Sequence, residues 1–198
     1  MSTLDFLSVG AATGGAVAVS AIARAQRDRG ARFEERDGWD VPVSVPGEKE
    51  HLAAVGVVDL SHLTKLELRP AGEPIEGEVI VWYAISPRRA LVLCAPASAA
   101  TVREQFGDRF ALDVTGAYTI IALVGPEAAT VLRRMTHMHH FPAGGEIAHV
   151  QGHVLERGGG YWIICAQEYG QYVWEVAVDR ATALGGGPVG TDAGGDSL

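Results

Sequence analysis

Short apolar runs, separated by glycine, proline and polar residues, dominate the sequence from residue 54 onward. Residues 64–69 alternate between apolar and polar side chains, which predicts a half-buried strand. Similar patterns predict strands at residues 78–85, 90–95, 118–124, 149–155, 161–166 and 172–178. Capping residues and helix formers predict helices at residues 48–54, 98–106 and 126–135.

This order of elements predicts an α+β fold. A strand, a hairpin turning at residues 86–89, a helix, a strand, a second helix and three more strands follow one another. Such an order favours mostly antiparallel sheets with helices packed against them.

Glycines at 158–160 lie between two predicted strands, where a tight hairpin accounts for them better than a phosphate-binding loop.

We divide the chain into an apolar lead and helix (1–29), an α+β domain (30–184) and a flexible, glycine-rich tail (185–198). The lead has Asp5 as its only early charge, so it does not fit a secretory signal. Its glycines and serines make it a poor membrane span, and we expect a flexible segment followed by a helix over residues 16–29.

Composition restricts the classes of partner. The chain has 198 residues and a net charge of −8, which argues against binding to nucleic acid or to an anionic membrane. Its two cysteines, Cys94 and Cys165, lie far apart within apolar runs. This arrangement indicates reduced thiols packed in strands and therefore a cytoplasmic protein.

The stretch 54–68 joins a buried run to a strand through a polar cluster of Asp59, Ser61, His62 and Lys65. One interpretation is a structural corner, in which these side chains bond free backbone groups of a turn. The other is a hydrolytic triad of Asp59, Ser61 and His62. We favour the corner, because triads are normally assembled from distant parts of a fold.

Two further groups of side chains could carry chemistry. Three histidines at 137, 139 and 140, with two more at 149 and 153, could chelate a metal, but they match no recognised ligand spacing, and we predict no metal site. An aromatic set could form a platform for a flat heterocycle, although burial in a core or interface is the commoner role. Its members are Trp82, Tyr83, Trp162, Tyr169, Tyr172 and Trp174.

Several segments resemble the glycine cleavage T proteins, which are aminomethyltransferases. GARFEERDGWDVPV, from Gly30, and EHLAAVGVVDLSHLTKLEL, from Glu50, are similar to that family's N-terminal signature. EYGQYVWEV, from Glu168, resembles the family's TGE-x-GFEI segment, with Gln171 where the family has Glu and Glu175 in register. The resemblance implies a shortened folate-binding-domain fold over residues 30–193.

The departures from the family affect its chemistry. A segment that the family carries between Arg69 and Glu78 is missing, and GEVIVWY stands where the family has G-x-x-DD-L-x-V-Y. Tyr83 keeps the family tyrosine, whereas Val79 replaces the catalytic aspartate and cannot take part in proton transfer. We therefore predict no catalytic residue, and Tyr83, Gln171 and Glu175 as candidate folate contacts.

The length of the chain, the segment missing after Arg69 and the missing carboxylate together resemble the γ subunit of heterotetrameric sarcosine oxidases. That resemblance implies a non-catalytic accessory subunit of a flavin-dependent oxidase or dehydrogenase for secondary N-methyl amines, linked to tetrahydrofolate. FAD, FMN and NAD would be bound by larger flavoprotein subunits and not by this chain. The alternative is a stand-alone tetrahydrofolate-binding protein or a one-carbon transferase of the aminomethyltransferase type.

Overall fold

The computed structural model describes residues 17–75, 77 and 79–194. The strands are β1 (Ala18–Val19), β2 (Arg32–Arg36), β3 (Trp39–Ser44), β4 (Gly56–Asp59), β5 (Thr64–Arg69), β6 (Val79–Ser86), β7 (Arg89–Cys94), β8 (Phe110–Asp113), β9 (Tyr118–Val124), β10 (Ala143–Ile147), β11 (Val150–Arg157), β12 (Gly160–Ala166) and β13 (Gly187–Val189). The helices are α1 (Ala23–Arg27), α2 (Glu48–Leu52), α3 (Ala99–Glu104), α4 (Ala128–Arg133), α5 (Gly170–Thr182) and α6 (Thr191–Gly194).

These strands form three sheets. A six-stranded sheet has the order β10-β11-β12-β9-β4-β13, a four-stranded sheet the order β6-β7-β5-β8, and a three-stranded sheet the order β1-β3-β2. The pairs β1–β3 and β4–β13 are parallel, and the other pairs are antiparallel. The prediction of a mostly antiparallel α+β fold is confirmed.

The six-stranded sheet lies between two apolar cores, because successive side chains of a strand point to opposite faces. In β9, Ile121 faces a helix-side core and Ile120 faces an inter-sheet core. The helix-side core is formed by the sheet with residues of α1, α4 and α5. The inter-sheet core is formed with β7 and Tyr83 of the four-stranded sheet. A third core, containing Val102 of α3, covers the far face of the four-stranded sheet.

The strand predicted at residues 172–178 is wrong, because this segment belongs to α5. The alternation of large side chains coincides there with a helical pattern of burial. The apolar side chains that α5 buries are those of Val173, Trp174, Ala177, Val178 and Ala181. Consequently Gln171 and Glu175 lie on a helix and not on a strand.

The predicted flexible tail is also different in the structure over residues 187–194, which form β13 and α6. Glycines in this segment allow close contact with neighbouring backbone and do not make the segment flexible. A Cβ atom on Gly186 would lie 2.2 Å from the Val55 carbonyl oxygen, and one on Gly190 would lie 2.2 Å from that of Val43. Residues 195–198 of the tail lie outside the described part.

The N-terminal prediction is met only in part. Residues 1–16, most of the predicted lead, lie outside the described residues. The helix expected over 16–29 is reduced to α1, which follows the short strand β1. Within the described residues, no helix is long and apolar enough to cross a membrane.

Candidate functional site

Asp59 ends β4 and is the centre of a buried polar corner. Its carboxylate accepts hydrogen bonds from Ser20 Oγ at 2.5 Å, Gln26 Nε2 at 3.3 Å and the Ser61 N–H at 2.9 Å. The side chain is 1% exposed, so these bonds replace the solvation that it loses. Asp59 thus ties the N-terminal segment to the turn between β4 and β5.

Lys65 stabilises the same turn through hydrogen bonds to its backbone carbonyl groups. Its fully buried ammonium group donates to the carbonyl oxygens of Ser61 at 2.7 Å, Leu63 at 3.0 Å and Thr115 at 3.3 Å. Burial lowers the pKa of Lys65 to about 7, although the charge of Asp59 opposes this effect. The three carbonyls enclose the amine, which is therefore not presented to a ligand.

Ser61 and His62 do not form a catalytic pair. Ser61 Oγ accepts a hydrogen bond from the Ile120 N–H at 3.2 Å, which joins the turn to β9. His62 Nδ1 is buried and has no hydrogen-bond partner among the described residues. Burial lowers the pKa of His62 to about 4, so the imidazole is neutral at pH 7. This geometry is that of the predicted structural corner and not of a triad.

A second polar cluster lies where the two larger sheets meet, and we name it the junction cluster: Tyr83, His153, Arg89, Tyr118 and Glu67. Tyr83 is 8% exposed, and its hydroxyl lies 3.2 Å from His153 Nδ1. The two rings are 5.3 Å apart and inclined at 68°, an edge-to-face contact. Burial raises the pKa of Tyr83; burial, and then the charge of Arg89, lowers that of His153.

Arg89 connects the other members of the junction cluster. Its Nε donates to Glu67 Oε2 at 2.7 Å, and its Nη2 donates to the Tyr118 hydroxyl at 2.7 Å. Arg69 Nε donates to the second oxygen of Glu67, also at 2.7 Å. Burial opposes ionisation of Glu67, but the hydrogen bonds from the two arginines hold its pKa below the ordinary value. Glu67 is therefore a structural anion and not an available base.

A cavity of about 240 Å³ opens beside the junction cluster, with Tyr118 and His153 in its wall. Glycines of β10 and β11 form another part of this wall. A Cβ atom on Gly144 would lie 2.8 Å from His153 Nδ1, so a larger residue there would have to displace the imidazole. The polar side chains in its wall are those of Tyr118, Gln151, His153 and Cys165, and among the described residues no carboxylate lines it.

The three candidate folate contacts are not brought together. Gln171 Nε2 donates to Glu175 Oε1 at 2.8 Å on the exposed side of α5. The buried side of α5 packs in the helix-side core, whereas Tyr83 packs in the inter-sheet core. The six-stranded sheet thus lies between them, and only Tyr83 belongs to the junction cluster. Val79, at the position of the family aspartate, lies in β6 opposite Cys94.

Sequence reasoning missed His153, Arg89 and Tyr118 as members of a site. The sequence indicates His153 only as a possible metal ligand, Arg89 only as part of a turn, and Tyr118 only as part of a strand. In the structure Arg89 is the first residue of β7, and its sequence signal is a charged side chain directly before an apolar run. No local pattern links Tyr83 to His153, since 70 residues separate them.

The histidine-rich segment does not form a compact site. His137, His139 and His140 are exposed, and His149 Nδ1 lies 3.3 Å from Glu146 Oε1. Across residues 17–75, 77 and 79–194, no three His, Cys, Asp or Glu side chains are grouped closely enough to hold a metal ion. The segment therefore gives no support to the metal-binding alternative.

Comparison with solved structures places this architecture among known folds. The glycine cleavage system aminomethyltransferase T from Bartonella henselae matches with a TM-score of 0.69 and 18% identity, over 89% of this chain and 60% of that chain. The chain has the aminomethyltransferase fold. The predicted resemblance is thereby confirmed at the level of the fold, and the chain spans 60% of the length of that enzyme.

A chain of the heterotetrameric sarcosine oxidase from Corynebacterium sp. U-96, solved in complex with pyrrole 2-carboxylate, has the same fold. It matches with a TM-score of 0.57 and 17% identity, over 86% of this chain and 97% of that chain. No protein-family model matches the sequence, and no curated protein matches it. The aminomethyltransferase fold occurs, therefore, in a chain of similar extent within a multi-subunit oxidase.

Proposed function

We propose that this chain is a non-catalytic accessory subunit of a heteromeric, flavin-dependent oxidase or dehydrogenase for sarcosine or another secondary N-methyl amine, linked to tetrahydrofolate. The observation that carries the proposal is the reciprocal match with the sarcosine oxidase chain, which covers 86% of this chain and 97% of that one. FAD, FMN and NAD would be held by the larger subunits. The task of this chain would be assembly and stabilisation of the complex.

The chemistry of the described residues supports a non-catalytic role. Valine occupies position 79, so the carboxylate expected from the family resemblance is missing from the sequence. Glu67 is engaged by two arginines, and Lys65 is enclosed by three carbonyl oxygens. A general acid or base must reach the reacting atom, and neither of these groups can do so without breaking its present bonds.

An exposed apolar edge supports a role in assembly. β8 is an edge strand of the four-stranded sheet, and Phe110 and Leu112 on it are 60% and 47% exposed. An edge strand with large exposed apolar side chains favours pairing with another chain. A neighbouring subunit that covered β8 would remove this surface from water.

Affinity purification of the tagged full chain from its native cells tests the proposal. We expect larger subunits with a flavin absorption spectrum to co-purify in fixed stoichiometry. Phe110→Glu should reduce their recovery, whereas Tyr169→Glu, at an exposed aromatic residue away from β8, should not. A stable monomer that recovers no flavoprotein would contradict the proposal.

The cavity beside the junction cluster is the observation that favours the alternative, a stand-alone tetrahydrofolate-binding protein or one-carbon transferase. Its volume of about 240 Å³ is small, because pockets for drug-sized ligands typically have about 300–1,000 Å³. Calorimetric titration with a reduced folate separates the two functions. Saturable heat that is lost in Tyr83→Phe would support the alternative, and absence of heat at high ligand concentration would eliminate it.

A further inference from the structure

A cleft of about 260 Å³ lies between the end of α4, the β10–β11 hairpin and α5, and it shares no lining residue with the cavity beside the junction cluster. We name it the arginine cleft, after Arg133, Arg134 and Arg180 in its wall. On the α5 side, the cleft is lined by residues from one face of the helix. Tyr172, Val176 and Arg180 are spaced by four residues and therefore lie along one face of the helix.

The arginine cleft concentrates positive charge in an acidic protein. Among the described residues of the lining, three guanidinium groups face one carboxylate, Glu146, in a chain whose net charge is −8. Glu146 pairs with His149, and Arg180 pairs with its neighbour Asp179 at 2.5 Å. Within the residues that the structure describes, neither Arg133 nor Arg134 forms an ion pair, and Arg133 donates only to Thr130 Oγ1 at 3.1 Å.

Helix electrostatics explain part of this arrangement. Arg133 and Arg180 lie in the last turns of α4 and α5, where a positive charge interacts favourably with the helix dipole. This effect places an arginine along each helix separately. The helix dipole does not explain why the ends of both helices, Arg134 and the β10–β11 hairpin all line the same cleft.

The hairpin turn supplies an independent observation. Ala148 and His149 form the two-residue turn between β10 and β11, with φ angles of 48° and 67°. Turns with positive φ at both positions strongly favour Asn-Gly, so an alanine and a histidine are strained there. The Ala148 N–H donates to the Met135 carbonyl oxygen at 2.7 Å, which holds the strained turn against the end of α4. Strained residues of this kind concentrate at binding and catalytic sites.

We propose that the arginine cleft is a binding site for a small oxyanion ligand, one that carries a phosphoryl or carboxylate group. Arg133, Arg134 and Arg180 are its candidate contacts, since the guanidinium fork matches the oxygens of both groups. The volume fits a ligand of few heavy atoms and is too small for a nucleotide. The site is independent of the proposed accessory function.

Calorimetric titration of the full chain at low ionic strength tests the proposal, with inorganic phosphate in one arm and succinate in the other. We expect saturable binding at one site, weakened about tenfold or more in Arg134→Gln and in Arg180→Gln. Tighter binding of phosphate would indicate a phosphoryl ligand, and tighter binding of succinate a carboxylate. Arg24→Gln, at an exposed arginine of α1, is the matched control and should bind as the wild type does. Absence of saturation in both arms, or equal weakening in the control, would overturn the proposal.

His149→Gly provides a second test that does not depend on an arginine. Glycine relieves the positive φ at this position and removes the imidazole from the rim of the cleft. We expect a higher melting temperature together with weaker anion binding. Higher stability with unchanged affinity would contradict the inclusion of the turn in the site.

Discussion

The neutral, partly buried imidazole of His62 predicts a specific loss of stability in acid. Its pKa is lowered from 6.5 to about 4 in the folded protein. Between these two pH values the unfolded state binds a proton that the folded state does not, so the free energy of unfolding falls as the pH is lowered from 6.5 toward 4. The full difference corresponds to about 3 kcal/mol, of which about 2 kcal/mol is lost by pH 5.

Replacing His62 with glutamine removes this titrating group. We expect the difference in unfolding free energy between wild type and His62→Gln to change by about 2 kcal/mol, in favour of the variant, between pH 8 and pH 5. Urea unfolding followed by tryptophan fluorescence measures both proteins at each pH. The difference in unfolding free energy at pH 8, where the imidazole is neutral in both states, measures any loss of packing in the variant.

An exposed histidine provides the control for this experiment. His139→Gln removes the same chemical group from a solvent-exposed position and should leave the pH dependence of stability unchanged. If His62→Gln follows the wild-type pH profile, the imidazole is not buried in its neutral form. The structural corner would then need a different explanation.

Other parts of the fold make further predictions. Gly170→Ala should destabilise the protein by about 1–3 kcal/mol in urea unfolding, because the new Cβ would lie 2.2 Å from Thr119 Oγ1. Adding Thr119→Ala to this variant should recover part of the lost stability, and Gly116→Ala, where a Cβ meets no other atom, should leave the stability unchanged. Truncation of residues 187–194 should lower the melting temperature, because it removes a core strand paired with β4; an unchanged value would show that this segment is dispensable. Glu67→Gln should destabilise by about 1–3 kcal/mol, since two arginines lose their buried acceptor charge; a neutral result would show that water replaces that carboxylate.

Patterns within one element were sufficient for much of the fold. The continuous apolar run of β9 predicted a buried strand, and the two-residue loop Gly158–Gly159, with both φ angles positive, is a tight hairpin as predicted. The strand prediction at residues 172–178 is wrong because alternation and helical spacing coexist there. Only the contact of α5 with the six-stranded sheet distinguishes the two patterns.

The site depended on contacts that no local pattern encodes. Tyr83, predicted as a folate contact, lies in a polar cluster whose other ring, His153, is on a strand of the other sheet. Gln171 and Glu175 were chosen through a sequence match, and the sheet that separates them from Tyr83 becomes visible only in the tertiary structure. Glycines 186 and 190 suggested flexibility, whereas close packing against neighbouring backbone requires them.

The turnover number of an assembled amine oxidase complex carrying Tyr83→Phe tests the central claim most directly. Tyr83 is the one candidate ligand contact that lies within the junction cluster, and phenylalanine preserves its packing while removing the hydroxyl. The accessory role predicts that the complex assembles with its larger flavoprotein subunits and that kcat equals the wild-type value. An intact complex with a lowered kcat would show that this chain takes part in the chemistry.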